Sequence, residues 1–154
     1  MNKQLLVDCE LCNGCGLCEL ACAVSKTGQY QPFRSRIRVW RQEAKGMFIP
    51  AVCVHCVEPP CQVACLMNVV DKHPVTGLTT RRVEGCIGCR ACQVACPFDA
   101  ACYDEVDEVV VNCDHCGGNP ECVKYCPTGA LQYGELEVTT GSRRRSEFSK
   151  WLGG

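Results

Sequence analysis

Aromatic residues are scarce in this chain: four Phe, four Tyr and two Trp in 154 positions. That leaves few large rings for the apolar core around which a chain of this length is ordinarily built. Long hydrophobic runs are missing too. No stretch approaches the roughly 18 consecutive apolar residues of a membrane-spanning helix, so a direct membrane span is excluded. The opening stretch from Met1 to Asp8 has neither the apolar segment nor the small-residue cleavage site of a secretory signal. A cytoplasmic location is therefore expected, unless a folded partner carries the chain elsewhere. What the chain has in abundance is cysteine, 18 in all, a density typical of scaffolds held by covalent or metal cross-links. In a reducing compartment such a pattern reads as metal or redox sites rather than disulfides.

The spacing repeats four times. Cys12-x2-Cys15-x2-Cys18-x3-Cys22 and Cys86-x2-Cys89-x2-Cys92-x3-Cys96, the latter followed by Pro97, have the bacterial ferredoxin spacing unaltered. Cys53-x2-Cys56-x4-Cys61-x3-Cys65 and Cys113-x2-Cys116-x5-Cys122-x3-Cys126, the latter followed by Pro127, widen the middle gap. Three thiolates on one tight loop can grip one face of a cubane, while the fourth, a helical turn further on, points elsewhere. In two-cluster ferredoxins it completes the neighbouring cluster. Four complete quartets thus predict four 4Fe-4S clusters in two interlocked pairs. Gly14, Gly16, Gly85, Gly88, Gly117 and Gly118 permit tight loops, and Ala21, Ala64 and Ala95, each before a fourth cysteine, leave room for a cluster.

Zinc is the plain alternative, because C-x2-C pairs are also structural zinc half-sites. Zinc loops come as separated pairs, however, whereas close runs of four ending in Cys-Pro are an iron-sulfur habit. His55 and His115 occupy equivalent places, in Cys-Val-His-Cys and Cys-Asp-His-Cys. With each quartet already complete, they are expected to pack or hydrogen-bond within their loops rather than ligate. His73, before Pro74, is expected at the surface. Cys9 and Cys102 fall outside the quartets and are read as small buried thiols. Shifting the first motif to begin at Cys9 would idle Cys18 and lose the final spacing.

Between the motifs the pattern alternates as short strands do. Arg36–Arg41 and Met47–Val52, separated by Gly46, predict a β-hairpin, and 76–81 and 108–112 predict further strands. Helical turns are expected after the fourth cysteines, at Ala91–Cys96 and Cys122–Tyr125 for example. The fold class expected is α+β, with clusters replacing much of the core. Lys26, Arg34, Arg36, Arg38, Arg41 and Lys45 make residues 26–45 basic, and Asp99, Asp104, Glu105, Asp107 and Glu108 make 99–108 acidic. The basic hairpin lacks interleaved aromatics beyond Trp40, so it is read as a solvated or partner-facing strand and no nucleic-acid partner is expected. The tail at 141–154, with Arg143–Arg145, Phe148, Trp151 and Leu152, reads either as an arm docking on another subunit or as a disordered tail.

The order of motifs, with Cys53-Val-His-Cys-Val-Glu-Pro-Pro-Cys61, Gly85-Cys-Ile-Gly-Cys-Arg-Ala-Cys-Gln-Val-Ala-Cys-Pro97 and the stretch from Cys113 to Leu131, resembles the four-cluster electron-transfer subunits of the dimethyl sulfoxide reductase type. Such subunits also serve formate dehydrogenases, hydrogenases and tungsten aldehyde oxidoreductases. The resemblance covers about residues 5–134. It implies two interlocked bacterial ferredoxin-like folds, one from 1–30 with 108–140 (first and fourth motifs) and one from 31–107 (second and third motifs, with the basic hairpin), and a C-terminal arm at 141–154.

Carried over position by position, Cys12, Cys15, Cys18 and Cys126 bind one cluster, and Cys113, Cys116, Cys122 and Cys22 its partner. Cys53, Cys56, Cys61 and Cys96 bind a third, and Cys86, Cys89, Cys92 and Cys65 the last. The spacing by itself supports only the pairing of second with third motif, whose 66–85 connection is short. Ala23 and Leu66 stand where such proteins often have Pro, which is expected to loosen those turns.

Nothing in the sequence arranges an acid, base or nucleophile, so a relay is expected rather than an enzyme. An enzyme with an open iron site would show an incomplete quartet. The partners implied are a catalytic molybdenum or tungsten pterin subunit and a flavin subunit or soluble redox carrier, with self-association an added expectation. A hydrogenase or carbon monoxide dehydrogenase is the alternative partner. The short, anchor-free form inclines the choice toward an aldehyde oxidoreductase.

Overall fold

A computed structural model gives the architecture and describes residues 3–135; the arm expected at 141–154 lies outside the described residues. In the described residues the strands form four separate two-stranded antiparallel sheets. Three are local hairpins: β2 (Ile37–Gln42) with β3 (Met47–Val52), β4 (Val70–Lys72) with β5 (Thr79–Arg81), and β6 (Cys102–Asp104) with β7 (Val109–Val111). The fourth pairs β1 (Lys3–Val7) with β8 (Leu131–Glu135), in register from Lys3 opposite Glu135 to Val7 opposite Leu131.

The basic hairpin forms as its period-two pattern requires. Ile37 and Val39 turn inward, Ile37 lies opposite Val52, and Gly46 takes the left-handed turn at φ 60°. The strand expected at 76–81 is shorter, because a turn uses its first half: the Gly77 amide donates to the His73 carbonyl and the His73 amide to Leu78. Of 108–112, residues Val109–Val111 are strand. The β1–β8 pair has no sequence signal of its own. It is a long-range closure, sealed by Leu5 and Leu131 beneath it.

Each motif carries one α-helix, and in all four the third cysteine is its second residue. Cys18 lies in α1 (Leu17–Thr27), Cys61 in α2 (Pro60–Val63), Cys92 in α3 (Ala91–Val94) and Cys122 in α4 (Glu121–Lys124). Short helices do lie at the two expected spans, but they precede the fourth cysteines instead of following them. Proline explains two of the stops: Pro97 and Pro127 have no amide to donate to a continuing helix. Ala23 imposes no such stop, and α1 runs 11 residues to a left-handed Gly28, whose amide closes on Val24 at 2.8 Å. The missing proline lengthens that helix rather than loosening it, and Ala23 is completely buried. At Leu66, which is exposed, the chain turns without proline, the Asn68 amide closing on the Cys65 carbonyl.

Two small cores result. The first gathers Leu5, Ile37, Val39, Val52 and Leu131 around Cys18, Cys22, Cys113 and Cys122, with Cys12, Cys53 and Cys126 at its edge. The second gathers Val69, Val70, Ala101 and Val110 around Cys61 and Cys92, with Cys65, Cys86 and Cys96 beside them. Helix α1 packs on α4, and α2 on α3. The inward face of the basic hairpin belongs to the first core.

Much of the charge around that hairpin is paired within the chain, while the outer end of β2, with Trp40, Arg41 and Gln42 exposed, is solvated as expected. Arg34 is buried against Asp104 and Asp107, its Nη2 lying 2.8 and 2.6 Å from their carboxylates. Lys26 and Arg36 both reach Asp114, and Arg41 reaches Glu19 at 2.6 Å. The basic and acidic segments that looked unrelated in sequence are thus two halves of one joint.

Burial alone would raise the Asp104 carboxyl, but the Arg34 guanidinium and the amides of Val106 and Asp107 outweigh it and hold it below the ordinary carboxylate range. A carboxyl depressed on folding stabilises the protein above its unfolded value and loses that contribution as pH falls through the folded one. Asp104→Asn strands a buried guanidinium. With Asp107 still in reach, it is expected to cost about 3 kcal/mol at neutral pH. The gap between wild type and variant in denaturant melts should close as pH falls below the ordinary carboxylate value of 3.8.

Candidate metal centres

The four loops share one backbone device. The residue before the second cysteine takes the left-handed conformation in every motif: Gly14 at φ 73°, His55 at 50°, Gly88 at 66° and His115 at 54°. Two loops use glycine, which adopts that conformation freely, and two use histidine, for which it is strained. Glycine at 88 has a further reason, since a Cβ there would stand 2.4 Å from the carbonyl oxygen of Glu108.

The sulfurs gather across motifs. A small cavity in the first core is lined by Cys22 from the first motif together with Cys113, Cys116 and Cys122 from the fourth, with Lys26 and Arg36 at its wall. Four thiols, converging without disulfides, are the donor set of an iron-sulfur cluster, and cationic side chains beside them offset the charge of thiolate ligation. The residues present therefore fit such a group. Between the two cores, Cys61 and Cys96 of the second act on Cys53 at the edge of the first, together with Cys56. Among the first three cysteines of the first motif, Cys12 and Cys15 act on Cys18.

Burial, with the charge of Glu19, pushes the Cys18 thiol up to about 12. Burial likewise pushes Cys53 to about 11 and Cys113 to about 12, and raises Cys61 and Cys122. Buried thiols of this kind ionise only when a metal takes the place of the proton. Burial also acts on Cys126, but amides of Leu131, Thr128 and Ala130 and the Thr128 hydroxyl outweigh it and lower that thiol. The second cysteines of the first and third motifs, Cys15 and Cys89, are exposed, whereas Cys56 and Cys116 are half-buried.

Further donors reach the sulfurs. Arg81 Nη1 donates to Cys92 Sγ at 3.1 Å, and the amides of Arg36, Ala100 and His115 donate to Cys22, Cys96 and Cys113 at 3.3, 3.4 and 3.4 Å. Asn112 ties the two cores together. Its Nδ2 donates to the carbonyls of Thr79 and Cys113, both at 2.9 Å, and its Oδ1 accepts from Arg81 Nε at 2.7 Å. Sequence reasoning missed Arg81 and Asn112, which carry no spacing signal.

His55 and His115 meet edge to face, centroids 4.4 Å apart, and both are buried. A ring nitrogen of each lies within 4.8 Å of Cys113 Sγ. Burial lowers both imidazoles, His55 to about 4, so they are neutral near pH 7. His73 is at the surface as expected, Nδ1 accepting from Val75 and Thr76. Cys102 is buried and Cys9 half-buried.

With thiols of the first and fourth motifs gathered around one cavity, comparison with known proteins gives the class. Residues 44–136 match the family model of the 4Fe-4S dicluster domain, and residues 10–25 match a 4Fe-4S binding domain. The chain belongs to the 4Fe-4S dicluster family of ferredoxin-type iron-sulfur subunits, and it binds multiple 4Fe-4S clusters. It is 37% identical to the aliphatic sulfonate oxidoreductase polyferredoxin-like subunit of Pyrococcus furiosus, over 91% of this chain and 79% of that protein. It is 34% identical to the B subunit of the anaerobic dimethyl sulfoxide reductase of Haemophilus influenzae, over 84% of this chain and 72% of the relative.

The NADH-dependent phenylglyoxylate dehydrogenase subunit beta of Aromatoleum evansii is 38% identical over 79% of this chain, but the chain spans only 28% of its length. Among solved structures, the active site complex BamBC of benzoyl coenzyme A reductase with 1,5-dienoyl-CoA matches with a TM-score of 0.51 and 28% identity, covering 88% of this chain and 77% of that one. These relatives are subunits or complexes of oxidoreductases. No helix among the described residues is long and apolar enough to cross a membrane.

Gly88→Ala is expected to cost more than the roughly 1–2 kcal/mol of a left-handed alanine alone, because its Cβ also meets backbone. Gly28→Ala, left-handed but facing open space, should cost only that amount. Followed as the temperature at which visible absorption is lost, the order expected, from highest to lowest, is wild type, then Gly28→Ala, then Gly88→Ala.

Proposed function

We propose that this chain is a non-catalytic electron-transfer subunit, relaying electrons through four 4Fe-4S clusters between a catalytic oxidoreductase subunit and another redox partner. The observation that carries the reading is the convergence of Cys22 with Cys113, Cys116 and Cys122 around one cavity. A fourth cysteine has left its own motif for a partner loop, the exchange by which two-cluster ferredoxins interlock. On this reading Cys12, Cys15, Cys18 and Cys126 hold one cluster and Cys113, Cys116, Cys122 and Cys22 the next. Cys53, Cys56, Cys61 and Cys96 hold the third, and Cys86, Cys89, Cys92 and Cys65 the last.

When bound, each cluster takes and gives one electron. The protein's part is to space the carriers, to exclude water from the inner ones, and to set their potentials through burial and donors to sulfur. The exposure of Cys15 and Cys89, against the half-burial of their counterparts Cys56 and Cys116, favours a line with the first and third motifs at its ends and the second and fourth in the middle. Electrons then enter at one end and leave at the other.

The catalytic partner proposed is a molybdenum or tungsten pterin enzyme, by analogy with the sulfonate oxidoreductase and dimethyl sulfoxide reductase relatives. An aldehyde oxidoreductase remains the specific expectation and the cytoplasm the place. A flavin subunit, a soluble carrier or a second copy of this chain would serve as the other contact.

The test is iron, acid-labile sulfide and zinc on protein purified without oxygen. About sixteen iron and sixteen sulfide per chain, four per cluster, with little zinc, is the expected result. Zinc without sulfide would replace the relay with a metal-stapled interaction module, and about eight of each would halve the wire.

A further inference from the structure

Unpaired polar atoms collect at one place in the molecule. Among the described residues the buried side-chain polar atoms without a partner are Gln31 Oε1, His55 Nε2, Thr79 Oγ1 and His115 Nδ1. All but the first belong to a single joint, where the second and fourth loops face each other beside Cys53 and Cys113. An unpaired buried polar group is costly, and three at one spot imply a receiver that the polypeptide does not supply.

The tautomer of His55 follows from its neighbours. The Thr79 amide donates to its Nδ1 at 2.9 Å, so that nitrogen is an acceptor and the proton of the neutral ring sits on Nε2. A protonated nitrogen cannot ligate a metal, and the other is already engaged. His55 is thus a poor ligand and a ready donor, held at φ 50° in a position where two sister loops use glycine. Such strain persists where the side chain has a task that glycine cannot perform.

We propose that His55 and His115 donate their ring N–H groups, from Nε2 and Nδ1, to sulfur of the clusters held through Cys53 and Cys113, and so raise the potential of the inner pair. The inference rests on the four-cluster reading above. A donor to a cysteine thiolate or inorganic sulfide favours the reduced, more negative state. These are positioning and tuning residues and not ligands. The rival is an N–H of one ring resting on the π face of the other across their perpendicular contact, which would need no cluster at all.

The test uses the intact holoprotein carrying histidine labelled with 15N in the imidazole ring only, reduced and examined by pulsed electron paramagnetic resonance, with iron and sulfide measured on the same sample. A weak 15N coupling to a reduced cluster is expected, unchanged in His73→Gln and diminished in His55→Phe and His115→Phe. In a redox titration, His55→Phe should lower the reduced-to-oxidised ratio of one cluster about tenfold at fixed poise, or 59 mV for one electron; His55→Gln, which keeps a donor, should recover part of it. No coupling in wild type with full iron and sulfide would overturn the proposal and leave the ring-on-ring contact. A coupling of the size of a direct iron-nitrogen bond would overturn it in favour of ligation. Should the phenylalanine variants fail to load, the wild-type spectrum decides alone, while a wild-type shortfall of iron and sulfide sinks the four-cluster reading instead.

Discussion

In every motif the third and fourth cysteines stand four residues apart, at the start and just past the first turn of a helix. Residues so spaced share a face but lie one turn apart, with Cβ atoms about 5–6 Å from each other. Two sulfurs at that separation serve the loop's own metal centre and a neighbour's more readily than one centre. On the ligand exchange proposed above, a loop that sends its last cysteine away must receive one in return, and the motifs come in reciprocal pairs. The packing of α1 on α4 and of α2 on α3, and the partition of the apolar side chains into two small cores, agree with that exchange. The sheets are correspondingly slight, two strands each, because they frame the loops rather than form a core.

A chain with little apolar mass has to find cohesion elsewhere, and ion pairs supply part of it. Arg34 with Asp104 and Asp107 spans 70 residues of sequence and joins the basic segment to the β6–β7 hairpin. Lys26 and Arg36 converge on Asp114, inside the fourth loop. Isolated buried pairs contribute little net stability, because desolvation offsets the attraction. Their value here is positional, since each one fixes a loop or hairpin beside thiols that must be held in register before any metal arrives. The same cations lie where the negative charge of thiolate ligation would collect.

What can be read from the sequence is whatever is local. The quartets, the hairpin around Gly46 and the short pair spanning 70–81 are set by spacing and turn chemistry within a few residues. The length of α1 has a cause that is visible in the sequence and easily misread: Ala23 is where a proline would have ended the helix, and alanine lets it continue. The β1–β8 closure and the Arg34–Asp104 pair are not legible, because each depends on residues far apart whose own segments give no sign of a partner. Basic and acidic runs look equally solvated until folding brings them together. Arg81 and Asn112 escape notice for the same reason, since their role comes from lying between two cores.

The two histidines show where local and distant information combine. Each is legible alone as the odd residue in a Cys-x-x-Cys loop, and a loop-packing role for each is all that its own loop implies. Only the fold puts the two odd residues against each other. The glycine loops, at 14 and 88, lie by the exposed Cys15 and Cys89, where water can solvate a change of charge. The histidine loops face inward, where water is scarce and the protein must supply the dipoles that water would have given. A left-handed histidine is a costly way to make a turn but an effective way to place an N–H beside buried sulfur. Glycine beside the exposed cysteines and histidine at the buried joint is the division that the proposed relay, with wet ends and a dry middle, would require.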